Sequence, residues 1–85
     1  MASKNVNITP EKAFGEVVKE LRLKKGLSQQ SLSFDSEMDR TYVSLLERGM
    51  RKPTLNTILN LAKALDVSGP DLVRKTVNRL EKKRK

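Results

Sequence analysis

Apolar residues recur along the chain at spacings of three and four, with no run of the strict alternation that marks a strand. Phe14, Val17, Val18 and Leu21 line one face of a first helix. Its start is written in Thr9-Pro10-Glu11: a hydroxyl to cap free N–H groups, a proline where no N–H is missed, and an acid at the positive end of the helix dipole. This helix runs to about Lys25, where Gly26 ends it. Ser28 caps a short second helix, about Gln29 to Ser36, which turns Leu32 and the small Ser33 inward. An interval centred on Glu37 and Met38 leads to a third helix, capped by Asp39 and stopped by Gly49. Thr54 caps a fourth, which bears Leu55, Ile58, Leu59, Leu61, Ala62 and Leu65, is expected at the centre of the core, and closes at Asp66-Val67. Ser68 and Asp71, at capping-box spacing, open a fifth with the stripe Leu72, Val73, Val77 and Leu80. The pattern predicts an all-α, five-helix domain over residues 9–81, a flexible arm over 1–8 and a basic tail over 82–85. Phe34 lies off the apolar face of its helix, so core, interface and exposed positions all stay open for it.

The third helix is where the chemistry is expected. Val43 and Leu46 share a buried face, and Tyr42 with Leu45 forms a second apolar line. Arg40, Thr41, Ser44 and Arg48 then point outward. A helix with an apolar seam and hydrogen-bonding side chains at its exposed start suits the DNA major groove. The second and third helices, so tightly joined, make a helix-turn-helix candidate.

Composition narrows the function. Eighty-five residues, 36% hydrophobic and 4% aromatic, make one small domain with an aliphatic core, and domains of this size are often completed by oligomerisation. The absence of cysteine and histidine removes disulfides, thiolate chemistry, zinc-finger ligation and the commonest general base. No nucleophile–base or metal constellation can be assembled, so neither an enzyme nor a metal or cofactor is expected. No apolar run spans a membrane or forms a signal peptide, which makes the cytoplasm the expected location. Of the net charge of +8, the segment from Arg74 to Lys85 carries +6. Such a segment suits a polyanion, either nucleic acid or an anionic membrane surface, or is simply a solvated terminus.

The positions Phe14, Leu21-Arg22, Gly26-Leu27-Ser28-Gln29, Leu32, Val43-Ser44, Glu47-Arg48-Gly49, Pro53, Leu55, Leu61-Ala62, Ala64-Leu65 and Val67-Ser68 together resemble the Cro/cI-type (XRE-like) helix-turn-helix regulators. The run Asp39-Arg40-Thr41-Tyr42-Val43-Ser44 is similar to the recognition helix of controller proteins from restriction–modification systems. The resemblance implies a lambda-repressor-like fold and a role for each matched residue. Gln29 would bond a backbone phosphate and brace the recognition helix. Arg40, Thr41 and Ser44 would read bases or touch phosphate. Tyr42 would reach the sugar-phosphate edge or else cover the edge of the core. Arg51 and Lys52 would contact the DNA backbone, and Arg22 and Glu47 would form a partly buried ion pair between the first and third helices. Leu72 and Val73 match positions that close the core in this family.

Two departures stand out. Glu37 occupies a turn position where the family often has glycine, at a local cost of about 1 kcal/mol or with a differently shaped turn. Leu45 stands where the family often has a polar base reader, and either touches a thymine methyl group or packs inward.

The expected function is that of a sequence-specific, double-stranded-DNA-binding transcriptional regulator acting as a homodimer on an inverted-repeat operator, with no small-molecule ligand. Val73, Val77 and Leu80 are the candidate dimer interface, because the fifth helix carries Val77 and Leu80, one and two turns past Val73, beyond the reach of a small core. The alternative is a protein-interaction module, an adaptor or antitoxin, built on the same helices. A membrane-surface role explains only the basic C-terminus.

Overall fold

The computed structural model describes residues 8–83 and places five helices in them: α1 (Pro10–Lys24), α2 (Gln29–Asp35), α3 (Arg40–Glu47), α4 (Leu55–Ala64) and α5 (Gly69–Lys83). No strand occurs among the described residues. Of the expected arm and tail, residues 1–7 and 84–85 lie outside the described residues, while Lys82 and Lys83 continue α5.

Local hydrogen bonds set the helix ends. Thr9, Ser28 and Thr54 each accept a bond from the N–H three residues on, at 3.0–3.1 Å, and Asp39 accepts from the Thr41 N–H at 3.0 Å. Ser68 accepts from the Asp71 N–H at 3.1 Å, but the Asp71 carboxylate is turned to Arg74 rather than completing a capping box. Each cap contributes about 1 kcal/mol. Helices α1 to α4 close by one device, in which the N–H of Leu27, Met38, Met50 and Val67 bonds the carbonyl five residues back, at 2.8–3.0 Å. That closure needs a left-handed residue just before the donor. Gly26 and Gly49 supply it at φ 76°, whereas Glu37 (φ 60°) and Asp66 (φ 59°) adopt it despite a Cβ. The turn between α2 and α3 therefore keeps the left-handed shape and bears the strain of Glu37.

Val18, Leu32, Val43, Leu46, Leu61 and Leu72 form the buried centre, with Phe14, Val17, Ala62 and Leu65 around them. Helix α1 packs against both α3 and α5. Its approach to α3 is very close at Gly15, where a Cβ would stand 2.3 Å from the Leu46 carbonyl oxygen and 2.6 Å from that of Glu47.

Two expectations about burial need correction. Leu61, Ala62, Ala64 and Leu65 are buried and Ile58 packs on the core, but Leu55 and Leu59 are 70% and 48% exposed. A helix of ten residues turns only one arc inward, and the Leu55–Leu59 edge lies outside it. On α5, Leu72 closes the core with no exposure, whereas Val73 is 44% exposed and does not help to close it. Phe34 is exposed.

The charge of α5 is also partly internal. Arg79 reaches Glu16 at 3.4 Å and also pairs with Glu20, and Lys83 approaches Glu16 at 3.4 Å. The helix thus lies along α1 instead of projecting from the domain. Three of its cations (Arg74, Arg79 and Lys83) face protein carboxylates. No helix of the described residues is long and apolar enough to cross a membrane.

Candidate nucleic-acid interface

The exposed side of α3 follows from its helical spacing. Val43, Leu46 and Glu47 are buried against the domain, and Tyr42, half-buried, packs against the edge of the core. Arg40, Ser44 and Arg48, four residues apart, form one outward ridge, and Thr41 with Leu45 forms the neighbouring one. Arg40, Thr41 and Arg48 are exposed, and Ser44 and Leu45 are half-buried. Asp39 holds the first turn open toward solvent by capping it, so Arg40 and Thr41 stand at the exposed start of the helix.

What holds this face in position is a polar network inside the domain. Arg22 Nε donates to Glu47 Oε2 at 2.6 Å, and its Nη2 to Oε1 at 3.0 Å, a two-pronged match of guanidinium to carboxylate. Its Nη1 donates to the Leu27 carbonyl at 2.9 Å. Gln29 Nε2 donates to Glu47 Oε1 at 3.0 Å. The expected ion pair between α1 and α3 is therefore present, and Gln29 adds α2 to it. Both charges are almost completely dry, with side chains 9% and 2% exposed. No buried side-chain nitrogen or oxygen is left without a partner among the described residues. Three helices are thus tied at one carboxylate on α3.

Arg51 and Lys52 are exposed in the loop between α3 and α4, with Arg51 Nη1 bonded to the Met50 carbonyl at 2.9 Å. With Thr9, Glu11, Gly49 and Met50 they line a shallow cleft beside the start of α1. Close packing fixes this corner too, because a Cβ on Gly49 would stand 2.8 Å from the Lys12 Cα. The candidate interface residues lie on another face. Val73 and Val77 are 44% and 41% exposed, and Leu80 is half-buried.

Gly15 carries a role that the apolar pattern did not reveal. The signal available was a glycine in mid-helix, which costs about 1 kcal/mol relative to alanine and so points to a packing reason. Leu55 and Leu59 were read as core residues and are instead exposed, with Leu59 Cδ2 lying over Gly69 at the start of α5.

Comparison with known proteins bears on this geometry. The Helix-turn-helix family profile matches residues 18–72. The chain is 43% identical over 61 residues to the control protein C.BamHI of Bacillus amyloliquefaciens, an alignment spanning 71% of this chain and 75% of that one. Among solved structures, it is similar to the restriction-modification controller protein C.AhdI from Aeromonas hydrophila, with 49% identity, a TM-score of 0.70, and coverage of 72% of this chain and 92% of that one. It is also similar to the restriction-modification controller protein C.Esp1396I, solved as a tetramer in complex with its natural 35 base-pair operator, with 30% identity, a TM-score of 0.78, and coverage of 87% and 97%.

Proposed function

The chain belongs to the helix-turn-helix (XRE, Cro/cI-type) family of DNA-binding transcriptional regulators, which are not enzymes, and on that premise we propose that it binds an inverted-repeat operator as a homodimer, with α3 in the major groove. The observation that carries this reading is the braced outward face of α3, where Arg40, Thr41 and Ser44 stand at the start of a helix held by Arg22, Gln29 and Glu47. A base-reading constellation needs such rigidity, because a loosely held side chain loses discrimination. Arg40 presents its fork to a guanine edge, and Thr41 and Ser44 offer hydroxyls to neighbouring bases or phosphates. Gln29 has two amide protons; one is engaged by Glu47, and the other is free to reach a phosphate. Arg51 and Lys52 add charge contacts to the backbone on the flank, and these set register without reading sequence. Tyr42 supports the face from the core edge and reaches the sugar-phosphate edge with its hydroxyl. Such a regulator works in the cytoplasm, beside the DNA it controls.

The dimer places Val73, Val77 and Leu80 against their counterparts about a two-fold axis. That pairing sets the two copies of α3 one DNA turn apart, roughly 34 Å. The operator-bound tetramer described for C.Esp1396I supports assembly on DNA as a mode open to this fold.

The test is titration of the full chain against the best duplex selected from a random library, and against its scrambled version, over a range of salt. The expected result is preference for an inverted repeat, with log K falling linearly in log salt. Equal affinity for the scrambled duplex would leave the fold as an interaction module rather than a sequence reader. In sedimentation, Val73→Glu with Val77→Glu is expected to give a folded monomer with greatly reduced operator affinity at low concentration. An unchanged dimer would place the interface elsewhere.

A further inference from the structure

Leu45 is the one aliphatic side chain on the outward face of α3. It is half-buried, yet it stands apart from the side chains packed on the core. Helical spacing puts it one turn beyond Thr41 and beside Arg48, on the side opposite Val43 and Glu47. Its own carbonyl is held by the Met50 N–H at 2.9 Å, so the Cα it hangs from is fixed by the helix closure at Gly49. The inward position left open for it is already taken by Val43 and Leu46, which are 0% and 1% exposed. What remains is an apolar group on a surface otherwise made of guanidinium and hydroxyl groups.

We infer that Leu45 is a specificity-determining residue that reads the C5-methyl group of one thymine in each half-site. The inference rests on the reading of α3 as the helix that enters the major groove. Its physical basis is the chemistry of that groove. A leucine offers no hydrogen bond, so against guanine, adenine or cytosine it covers polar edge atoms and leaves them unpaired, which is unfavourable. Thymine alone presents a methyl group there, and burying that methyl against Leu45 removes apolar surface from water on both partners. Selectivity then comes from a penalty on the other bases as well as from the contact itself. The Thr41 methyl group, on the same ridge, widens the apolar spot.

The experiment starts from the best duplex selected against the full chain. Each thymine is replaced in turn by deoxyuridine, which deletes the methyl group and nothing else. For the parent protein, one symmetric pair of positions is expected to lose affinity by about fourfold per half-site, the effect of a single methylene-sized group. For Leu45→Ala, checked for helical content, the same replacement is expected to change affinity less than about 1.5-fold, because the partner of the methyl is gone. The thymine preference at that position should also weaken when selection is repeated with the variant. A uracil scan without any sensitive pair, or one in which Leu45→Ala shows the same penalty, would overturn the inference while leaving DNA recognition intact. If selection enriched no sequence at all, the proposed function itself would fall, and this assignment with it.

Discussion

Replacing Arg22 with methionine keeps an aliphatic stem and removes the guanidinium. In the folded chain this strands the Glu47 carboxylate, 2% exposed, with the Gln29 amide as its remaining side-chain partner. It also frees the Leu27 carbonyl. Breaking a buried ion pair from one side costs about 3–5 kcal/mol, through the charge left behind. A chain of this length holds about 4–13 kcal/mol in all, so Arg22→Met is expected to remove a large part of the stability. The double substitution Arg22→Met with Glu47→Leu removes both charges, and with them the desolvation cost, so it is expected to lie within about 2 kcal/mol of the parent. Urea unfolding followed by far-UV circular dichroism, at one fixed protein concentration because a dimer's stability depends on it, measures all three proteins. A double variant no more stable than Arg22→Met would refute the view that these two residues act as a buried unit.

Arg40→Ala is expected to weaken binding to the selected duplex by about 1–3 kcal/mol per half-site while leaving random-sequence binding nearly unchanged, in fluorescence anisotropy at fixed salt. Arg51→Ala should weaken both alike and lower the salt slope by about 1 per half-site. Gly15→Ala should destabilise the fold although alanine favours helix by about 1 kcal/mol, because its Cβ would meet the Leu46 carbonyl oxygen at 2.3 Å; a raised Tm would contradict the close packing of α1 on α3. Glu37→Gly should stabilise by about 1 kcal/mol by relieving the left-handed residue at φ 60°, read as a shift of the urea midpoint with the slope unchanged.

The sequence by itself determined the elements and their ends. Thr9, Ser28, Asp39, Thr54 and Ser68 cap the helices they were expected to cap, because a cap acts within three residues and needs no distant partner. The buried and outward faces of α3 were legible for the same reason, since spacing along one helix decides which side chains share a side. The Arg22–Glu47 pair was legible only through resemblance to a family, because the two residues are 25 apart and nothing local joins them. Tertiary structure alone decided the rest. It set Gly15 against the carbonyls of α3, and it turned Leu55 and Leu59 outward although their apolar character matches that of Leu61. It laid α5 along α1, so that Arg79 and Lys83 meet Glu16 and part of the basic strip is balanced within the domain. It also named the partner through which Gln29 braces α3, a role the resemblance had implied: the Glu47 carboxylate. Each of these depends on how far apart two helices lie and which sides they present, and periodicity within a single helix carries no such information.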